Sequence, residues 1–169
     1  MSNSVDQHKK AAPRNIRVAI LSVSTTRSLK EDKSGKWISS AATKKGHVVV
    51  FHDVVEDDAD AIRREAESII ENYTPHALLV SGGTGIAPKD VTIEALRPLF
   101  DKELSAFGIL FAQLSYEEID SAAILSRATA GVAKGVILFC MPGSIKACKL
   151  ACKELIFPEL GHLVKHVRE

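Results

Sequence analysis

The run Arg17-Val18-Ala19-Ile20-Leu21-Ser22-Val23 is apolar at nearly every position, which does not suit a strand with one wet face. A strand buried on both faces belongs at the centre of a parallel sheet covered by helices on either side. The segments that follow alternate as such a sheet requires. Ser34 is placed to cap a helix carrying Trp37, Ile38, Ala41 and Ala42 on one side, and Gly46 to end it. His47 to Phe51 returns as a strand. Between Asp58 and Tyr73, Ile62, Ala66, Ile69, Ile70 and Tyr73 recur mostly at three- and four-residue steps, the pattern of an amphipathic helix, and His76 to Val80 is the next strand. Pro98 keeps the following helix short. Leu104, Phe107, Leu110, Phe111 and Leu114 form a further apolar stripe, read first as core packing and second as an interface. Ala128 to Val132 and Val136 to Met141, separated by Ala133-Lys134-Gly135, read as a β-hairpin. A helix opens at Pro142-Gly143-Ser144 and runs to about Leu155. After Pro158, Leu160, Leu163, Val164 and Val167 describe a last one. The expected fold is α/β, a mostly parallel sheet with a β-hairpin and helices on both faces.

A chain of 169 residues suffices for one core, and no repeat, low-complexity stretch or linker after residue 14 marks a second domain. Residues 1–14 are polar and read as a mobile tail before a domain spanning 15–169. The formal charge is +1, so there is no global electrostatic case for nucleic acid or a membrane surface. No apolar run approaches the roughly 20 residues of a membrane span, and the first residues hold no signal-peptide core, which together point to the cytoplasm. Cys140, Cys148 and Cys152 read as free thiols, since no further ligands stand at zinc spacing. His162 and His166, four apart near the carboxyl terminus, read as a solvated helix face.

The chemistry concentrates after the third strand, in Ser81-Gly82-Gly83-Thr84-Gly85-Ile86-Ala87-Pro88-Lys89-Asp90. Glycines at 82, 83 and 85 bring backbone N–H groups close to an anion, and Asp90 can hold a metal that the anion shares. The loop has neither the Gly-Lys-Ser/Thr ending of a P-loop nor the dinucleotide spacing. In a sheet of this kind ligands gather beyond the carboxyl ends of the strands, where Ser22 to Gly35, Asp53 to Asp58, Ser81 to Asp90 and Pro142 to Lys146 converge. Asp57 and Asp90 lie on two of these loops and can face one Mg²⁺, which prefers oxygen ligands and substrate phosphates. Pro142, Gly143 and Ser144 open a helix whose N–H groups and dipole attract a phosphate, assisted by Ser144 and Lys146. Lys89 and Arg127 can offset further charge. Each residue also has a structural reading: Asp57, Asp58, Asp90 and Ser144 as helix caps, the lysines as solvated charges, Arg127 as an ion-pair partner.

The glycine loop with Asp90, the segment Leu125-Ser126-Arg127-Ala128-Thr129-Ala130-Gly131-Val132, and Met141-Pro142-Gly143-Ser144-Ile145-Lys146-Ala147-Cys148 together resemble the MoaB branch of the MoaB/MogA molybdenum-cofactor biosynthesis family. The resemblance spans nearly all of the chain after the tail. It implies a three-layer α/β/α domain assembling as a homotrimer or homohexamer. It also implies molybdopterin adenylyltransferase activity, in which Mg²⁺ and ATP bind with molybdopterin, AMP passes to the pterin's terminal phosphate and pyrophosphate leaves. Asp57 and Asp90 match the family's two acidic functional positions, assigned here to metal and catalysis. Ser81, Gly82, Gly83, Thr84, Gly85, Ser126, Arg127, Pro142, Gly143, Ser144 and Lys146 are assigned to substrate binding. Thr25 stands where the family frequently has an acid, and no role passes to it.

Two other classes compete with the enzyme. A catalytically silent pterin- or nucleotide-binding oligomer would keep the phosphate loops, and retention of both Asp57 and Asp90 favours the enzyme over it. A dinucleotide-dependent oxidoreductase of similar layered fold lacks the glycine spacing it needs.

Overall fold

The computed structural model describes residues 15–169; segment 1–14, expected as a tail, lies outside the described residues. The chain runs β1 (Arg17–Val23), α1 (Lys33–Lys44), β2 (Val48–Val55), α2 (Ala59–Tyr73), β3 (Ala77–Ser81), α3 (Thr92–Leu96), β4 (Lys102–Glu103), α4 (Ser105–Ile119), β5 (Thr129–Ala133), β6 (Val136–Met141), α5 (Ile145–Leu150) and α6 (Phe157–Arg168). The six strands form one sheet in the order β2-β1-β3-β6-β5-β4. The pairs β1–β2, β1–β3 and β3–β6 are parallel, and β5 is antiparallel to both of its neighbours.

The period of two along β1 divides the core. Val18 and Ile20 join Ile38, Ala42, Leu79, Phe111 and Phe139 on one face, under α1, α4, α5 and α6. Ala19, Leu21 and Val23 join Ile62, Ala66, Ile69, Leu78 and Val80 on the other, under α2 and α3. Because β2, β1, β3 and β6 point the same way, the turns that leave their carboxyl ends share one edge of the sheet, and that edge positions the site.

Several boundaries differ from those expected, each for a local reason. Strand β2 continues through His52, Asp53, Val54 and Val55 because every residue of β1 finds a partner there, from Arg17 opposite Val48 to Val23 opposite Val55, with an irregularity at Val18/Ala19. Asp32, not Ser34, caps α1: its Oδ1 accepts the Gly35 N–H at 2.9 Å. Ser34 is buried in the first turn. The hairpin turn is the two residues Lys134 and Gly135, both with positive φ, and β5 accordingly runs to Ala133 opposite Val136.

Pro158 does not break the chain into two helices. A π-helical turn over Ala151–Ile156 joins α5 to α6, and the Phe157 N–H reaches back to the Cys152 carbonyl. The wider turn accommodates a proline ring that an α-helical turn would set against the preceding carbonyl. The stripe on α4 divides: Phe107 and Phe111 are buried, while Ile109 and Leu110 are exposed. All three cysteines are free and buried. Among the described residues no helix is long and apolar enough to cross a membrane.

Phe139 is 1% exposed at the middle of β6, with its ring centroid 5.3 Å from that of Phe107. Phe139→Ala leaves a cavity that the surrounding sheet cannot close, and should lower unfolding stability by about 3–5 kcal/mol, read as a fall in the urea midpoint at unchanged slope.

Candidate active site

Gly82 sits where three strand ends meet. Its N–H donates to the Met141 carbonyl at 3.0 Å, at the end of β6. Its φ is +103°, and a Cβ there would strike the Val23 carbonyl at the end of β1. Gly83 follows at φ +61°, with no room for a Cβ beside the Thr92 hydroxyl and with Asp57 Oδ1 only 3.4 Å from that position. Two successive positive φ values, the first against the Val23 backbone and the second against the Thr92 side chain, admit glycine alone without strain. Thr92, fully buried at the start of α3, closes the loop from behind: its hydroxyl donates to the Gly82 carbonyl at 2.8 Å and its N–H to the Gly83 carbonyl at 2.9 Å. The amides of Gly83, Thr84 and Gly85 make no hydrogen bond among the described residues.

Asp58 is the cap of α2, its Oδ1 accepting the Ala61 N–H at 2.8 Å, which leaves the neighbouring Asp57 for another use. Asp57 Oδ2 accepts both the N–H and the hydroxyl of Thr25, at 2.6 and 2.7 Å. Thr25 thereby fixes one carboxylate oxygen from the loop after β1. Asp90 does not cap α3 either; its Oδ2 accepts the Ala87 N–H at 2.8 Å within its own turn, and a Cβ on Gly85 would stand 2.6 Å from that oxygen. Both acids line one cleft of about 310 Å³, together with Ser81, Gly82, Gly83, Gly143 and Ser144. Ser144 also caps α5, accepting the Ala147 N–H at 3.2 Å.

The remaining sequence-assigned residues stand elsewhere. Arg127 spans both ends of the glycine loop: its Nε donates to the Thr84 carbonyl at 2.9 Å, and its two terminal nitrogens grip Glu94 on α3 at 2.7 and 3.0 Å. The pair's hydrogen bonds hold the Glu94 carboxyl below its ordinary range and push Arg127 up. Being half-exposed, it contributes at most about 1 kcal/mol as an ion pair, and its use is geometric. The Thr84 hydroxyl is buried and has no hydrogen-bond partner among the described residues. Thr84, Gly85, Ser126, Arg127 and Pro142 do not line the cleft, and Lys146 is exposed on a separate groove with Lys149 and Lys153.

Six cleft residues were not assigned to the site from sequence although their loop was identified as convergent: Ser22, Val23, Ser24, Arg27, Asp32 and Ser34. Asp32 is 2% exposed, and its Oδ2 accepts the Ser22 hydroxyl at 2.7 Å and meets His52 Nε2 at 2.9 Å. Burial pushes its carboxyl up, and the hydrogen bonds from Ser22, the Gly35 amide and His52 more than offset this, holding it below the ordinary 3.8. Ser34 donates to the Gly143 carbonyl at 2.8 Å, tying α1 to the turn before α5. The signal for Asp32 was its position three residues before Gly35 at a helix start. Ser22 carried none, because only the sheet places it 3.2 Å from Ser81. Cys148 donates to the Pro142 carbonyl, and burial pushes its thiol up to about 12, so it is no nucleophile.

Three carboxylates, Asp32, Asp57 and Asp90, line the cleft against one guanidinium, that of Arg27. The glycine cradle suits an anion, yet the carboxylates would repel one, so a polyanion fits this cleft in company with a cation. Among the described residues no three His, Cys, Asp or Glu side chains converge on a metal-sized site. A divalent ion held by Asp57 and Asp90 would draw its other oxygens from phosphate and water, as Mg²⁺ does.

Fold and cleft together define an α/β domain with its cleft beyond the carboxyl ends of parallel strands, where such sheets take their ligands. A family model described as "Probable molybdopterin binding domain" matches residues 19–162. The chain is 47% identical over 167 residues to "Molybdenum cofactor biosynthesis protein B" of Bacillus subtilis, covering 98% of each protein. It is 39% identical over 163 residues to the "Probable molybdopterin adenylyltransferase" of Methanocaldococcus jannaschii, covering 92% of this chain and 96% of that one. The crystal structure of the tungsten cofactor synthesizing protein MoaB from Pyrococcus furiosus superposes with a TM-score of 0.84 at 39% identity, covering 94% of this chain and 100% of the other. The chain belongs to the MoaB branch of the molybdenum-cofactor biosynthesis family.

Asp32 gives this site a testable pH dependence. Its folded pKa is depressed, so the stability it contributes is present above the unfolded value of 3.8 and is lost as the pH falls through the lower folded value. Asp32→Asn should be less stable than the parent at pH 7, and the gap should narrow as the pH falls below about 4, checked by urea unfolding across that range.

Proposed function

We propose that this protein is a cytoplasmic molybdopterin adenylyltransferase of molybdenum or tungsten cofactor biosynthesis, with ATP and molybdopterin as substrates and Mg²⁺ as the ion held by Asp57 and Asp90. The observation that carries the reading is that these two acids, from the turns after β2 and β3, open with the glycine loop onto one cleft. A terminal phosphate oxygen of the pterin attacks the α-phosphorus of ATP; the bond to the β-phosphate oxygen breaks, AMP is transferred and pyrophosphate leaves with the electron pair. The attacking oxygen is already ionised at neutral pH, so no strong general base is needed. The obstacle is repulsion between two anions, about 4 kcal/mol per pair of unit charges at 4 Å and an effective dielectric of 20.

The chain's own groups meet that obstacle by position. The Gly83 amide, on the cleft and without a hydrogen bond among the described residues, is available to phosphate oxygens, as are the N–H groups at the start of α5 behind Ser144. Arg27 adds the one cationic side chain that lines the cleft among the described residues. Thr25 holds Asp57 in place, and Arg127 braces the glycine loop through the Thr84 carbonyl. Mg²⁺, when bound, neutralises phosphate charge and aligns the reacting groups.

Incubating the full chain with molybdopterin, ATP and Mg²⁺ should yield adenylylated pterin and pyrophosphate. Asp90→Asn should slow turnover roughly 10²–10³-fold, in the range that follows loss of one electrostatic contact to the transition state. Unchanged turnover would remove Asp90 from the mechanism, and a parent protein that binds pterin without making product would be the silent binder instead.

The same reading includes a homotrimer or homohexamer. Its support is the set of exposed apolar side chains on α4 and the 3₁₀ turn after it: Ile109, Leu110, Tyr116, Ile119, Ile124 and Leu125. Ile124, 85% exposed, gains nothing by pointing into water. Ile124→Lys should shift the protein to a smaller species in sedimentation velocity without altering its monomer fold by circular dichroism.

A further inference from the structure

Two serines that line the cleft are set side by side by the sheet: Ser22, next to last in β1, lies opposite Ser81, the last residue of β3. Their hydroxyls are 3.2 Å apart and, taken alone, are natural donors to a phosphate oxygen. The hydrogen bonds behind them direct those hydrogens elsewhere. Asp32 Oδ2 accepts the single hydrogen of Ser22 at 2.7 Å, so in the contact between the two serines Ser81 is the donor. Burial pushes the Asp32 carboxyl up, but the bonds from Ser22, the Gly35 amide and His52 outweigh this, so it is ionised at neutral pH and only accepts. The chain of hydrogens therefore runs one way, from Ser81 to Ser22 to Asp32. The acid is tightly enclosed: a Cβ on Gly35 would strike both its Oδ2 and His52 Nε2.

We propose that Asp32 is a positioning residue that draws both serine hydrogens inward, so that Ser22 and Ser81 present oxygen lone pairs to the cleft and this subsite takes a hydrogen-bond donor in place of a phosphate oxygen. The inference rests on the adenylyltransferase reading for its ligands and refines it. Phosphate goes to the Gly83 amide and the start of α5, while the serines face a donor, either a ring N–H of the pterin or a water carried by the divalent ion. A phosphate oxygen set against these hydroxyls would meet lone pairs with lone pairs, at the cost of an unmade hydrogen bond.

Calorimetric titration of the full chain with pyrophosphate in EDTA reads the direction of the hydrogens without turnover. Ser22→Ala keeps the Asp32 charge but frees the Ser81 hydrogen to turn outward. It should bind pyrophosphate about three- to tenfold more tightly than the parent, and the gain should vanish in Ser22→Ala/Ser81→Ala. Loss of packing predicts no such gain, and neither does charge, since the carboxylate remains. Asp32→Asn offers a second route, because its amide nitrogen donates to Ser22 and releases the same hydrogens. Adding Ser81→Ala to it should remove a similar factor, whatever the lost charge contributes.

Two further probes identify the donor: 6-hydroxymethylpterin in EDTA, and Mg²⁺ alone, read by the rise in unfolding temperature. Ser22→Ala should weaken the pterin about tenfold if the donor is a ring N–H, and Mg²⁺ by a similar factor if it is a metal-bound water. Pyrophosphate bound by Ser22→Ala no more tightly than by the parent, a gain that survives the double substitution, or undiminished binding of both donor probes would overturn the proposal. A parent that binds pyrophosphate and pterin with these responses, yet makes no adenylylated product, would overturn the adenylyltransferase reading alone.

Discussion

Everything at the functional edge of the sheet depends on how closely the backbone can approach itself at Gly82. The residue touches the end of β1 through the Val23 carbonyl, hydrogen-bonds the end of β6 at Met141, and lies against Gly143, where an added Cβ would come within 3.0 Å of the Gly82 Cα. Three strand exits therefore converge without a side chain between them. Parallel strands alone would bring their carboxyl ends to one edge, but only a contact this tight makes a single cleft out of turns that belong to four different βα units. The buried hydroxyl of Thr92 and the Ser34 bond to the Gly143 carbonyl hold the two glycine turns against one another from opposite sides.

The cleft formed in this way contains opposed electrostatic tendencies. Backbone amides of the glycine loop, which would suit an anion, sit beside three carboxylates, and folding tolerates this because each acid is held. Asp32 is buried but receives three hydrogen bonds, Asp57 is gripped by Thr25, and Asp90 closes on the amide of its own turn. Those contacts saturate one oxygen of Asp57 while Oδ1 remains on the side of the glycine loop. A carboxylate with one oxygen anchored and the other presented has little orientational freedom left to lose on taking up a cation. That is preorganisation in the ordinary physical sense, with the ordering cost met on folding and not on binding.

Much of this was legible in the sequence, and the parts that were not share a cause. The double-buried run at Arg17 to Val23, the helical spacing in α2 and the glycine loop all announce themselves within a few residues. Asp57 and Asp90 could be assigned to one edge from the rule that such sheets bind ligand beyond their carboxyl ends. What escaped was set by partners distant in sequence. The length of β2 follows from pairing with β1, overriding the polar His52 and Asp53. Ser34 looked like a cap because Asp32 gave no apolar signal of its own, and Arg127, read both as a charge offset and as an ion-pair partner, could not be matched to Glu94 and the Thr84 carbonyl, which are over thirty residues away. Pro158 read as a stop because a π-helical turn leaves no pattern in composition.

Arg127 also links the cleft to the apolar face of α4. It follows by two residues the 3₁₀ turn Asp120–Leu125, whose Ile124 and Leu125 are exposed, and from there it reaches the Thr84 carbonyl and Glu94 at the two ends of the glycine loop. A half-exposed ion pair of this kind is energetically slight and cannot by itself immobilise a loop. Covering Ile124 and Leu125 with another protein surface would fix the segment from which the guanidinium extends and remove water from its surroundings. Assembly would then act on the glycine loop through a single side chain.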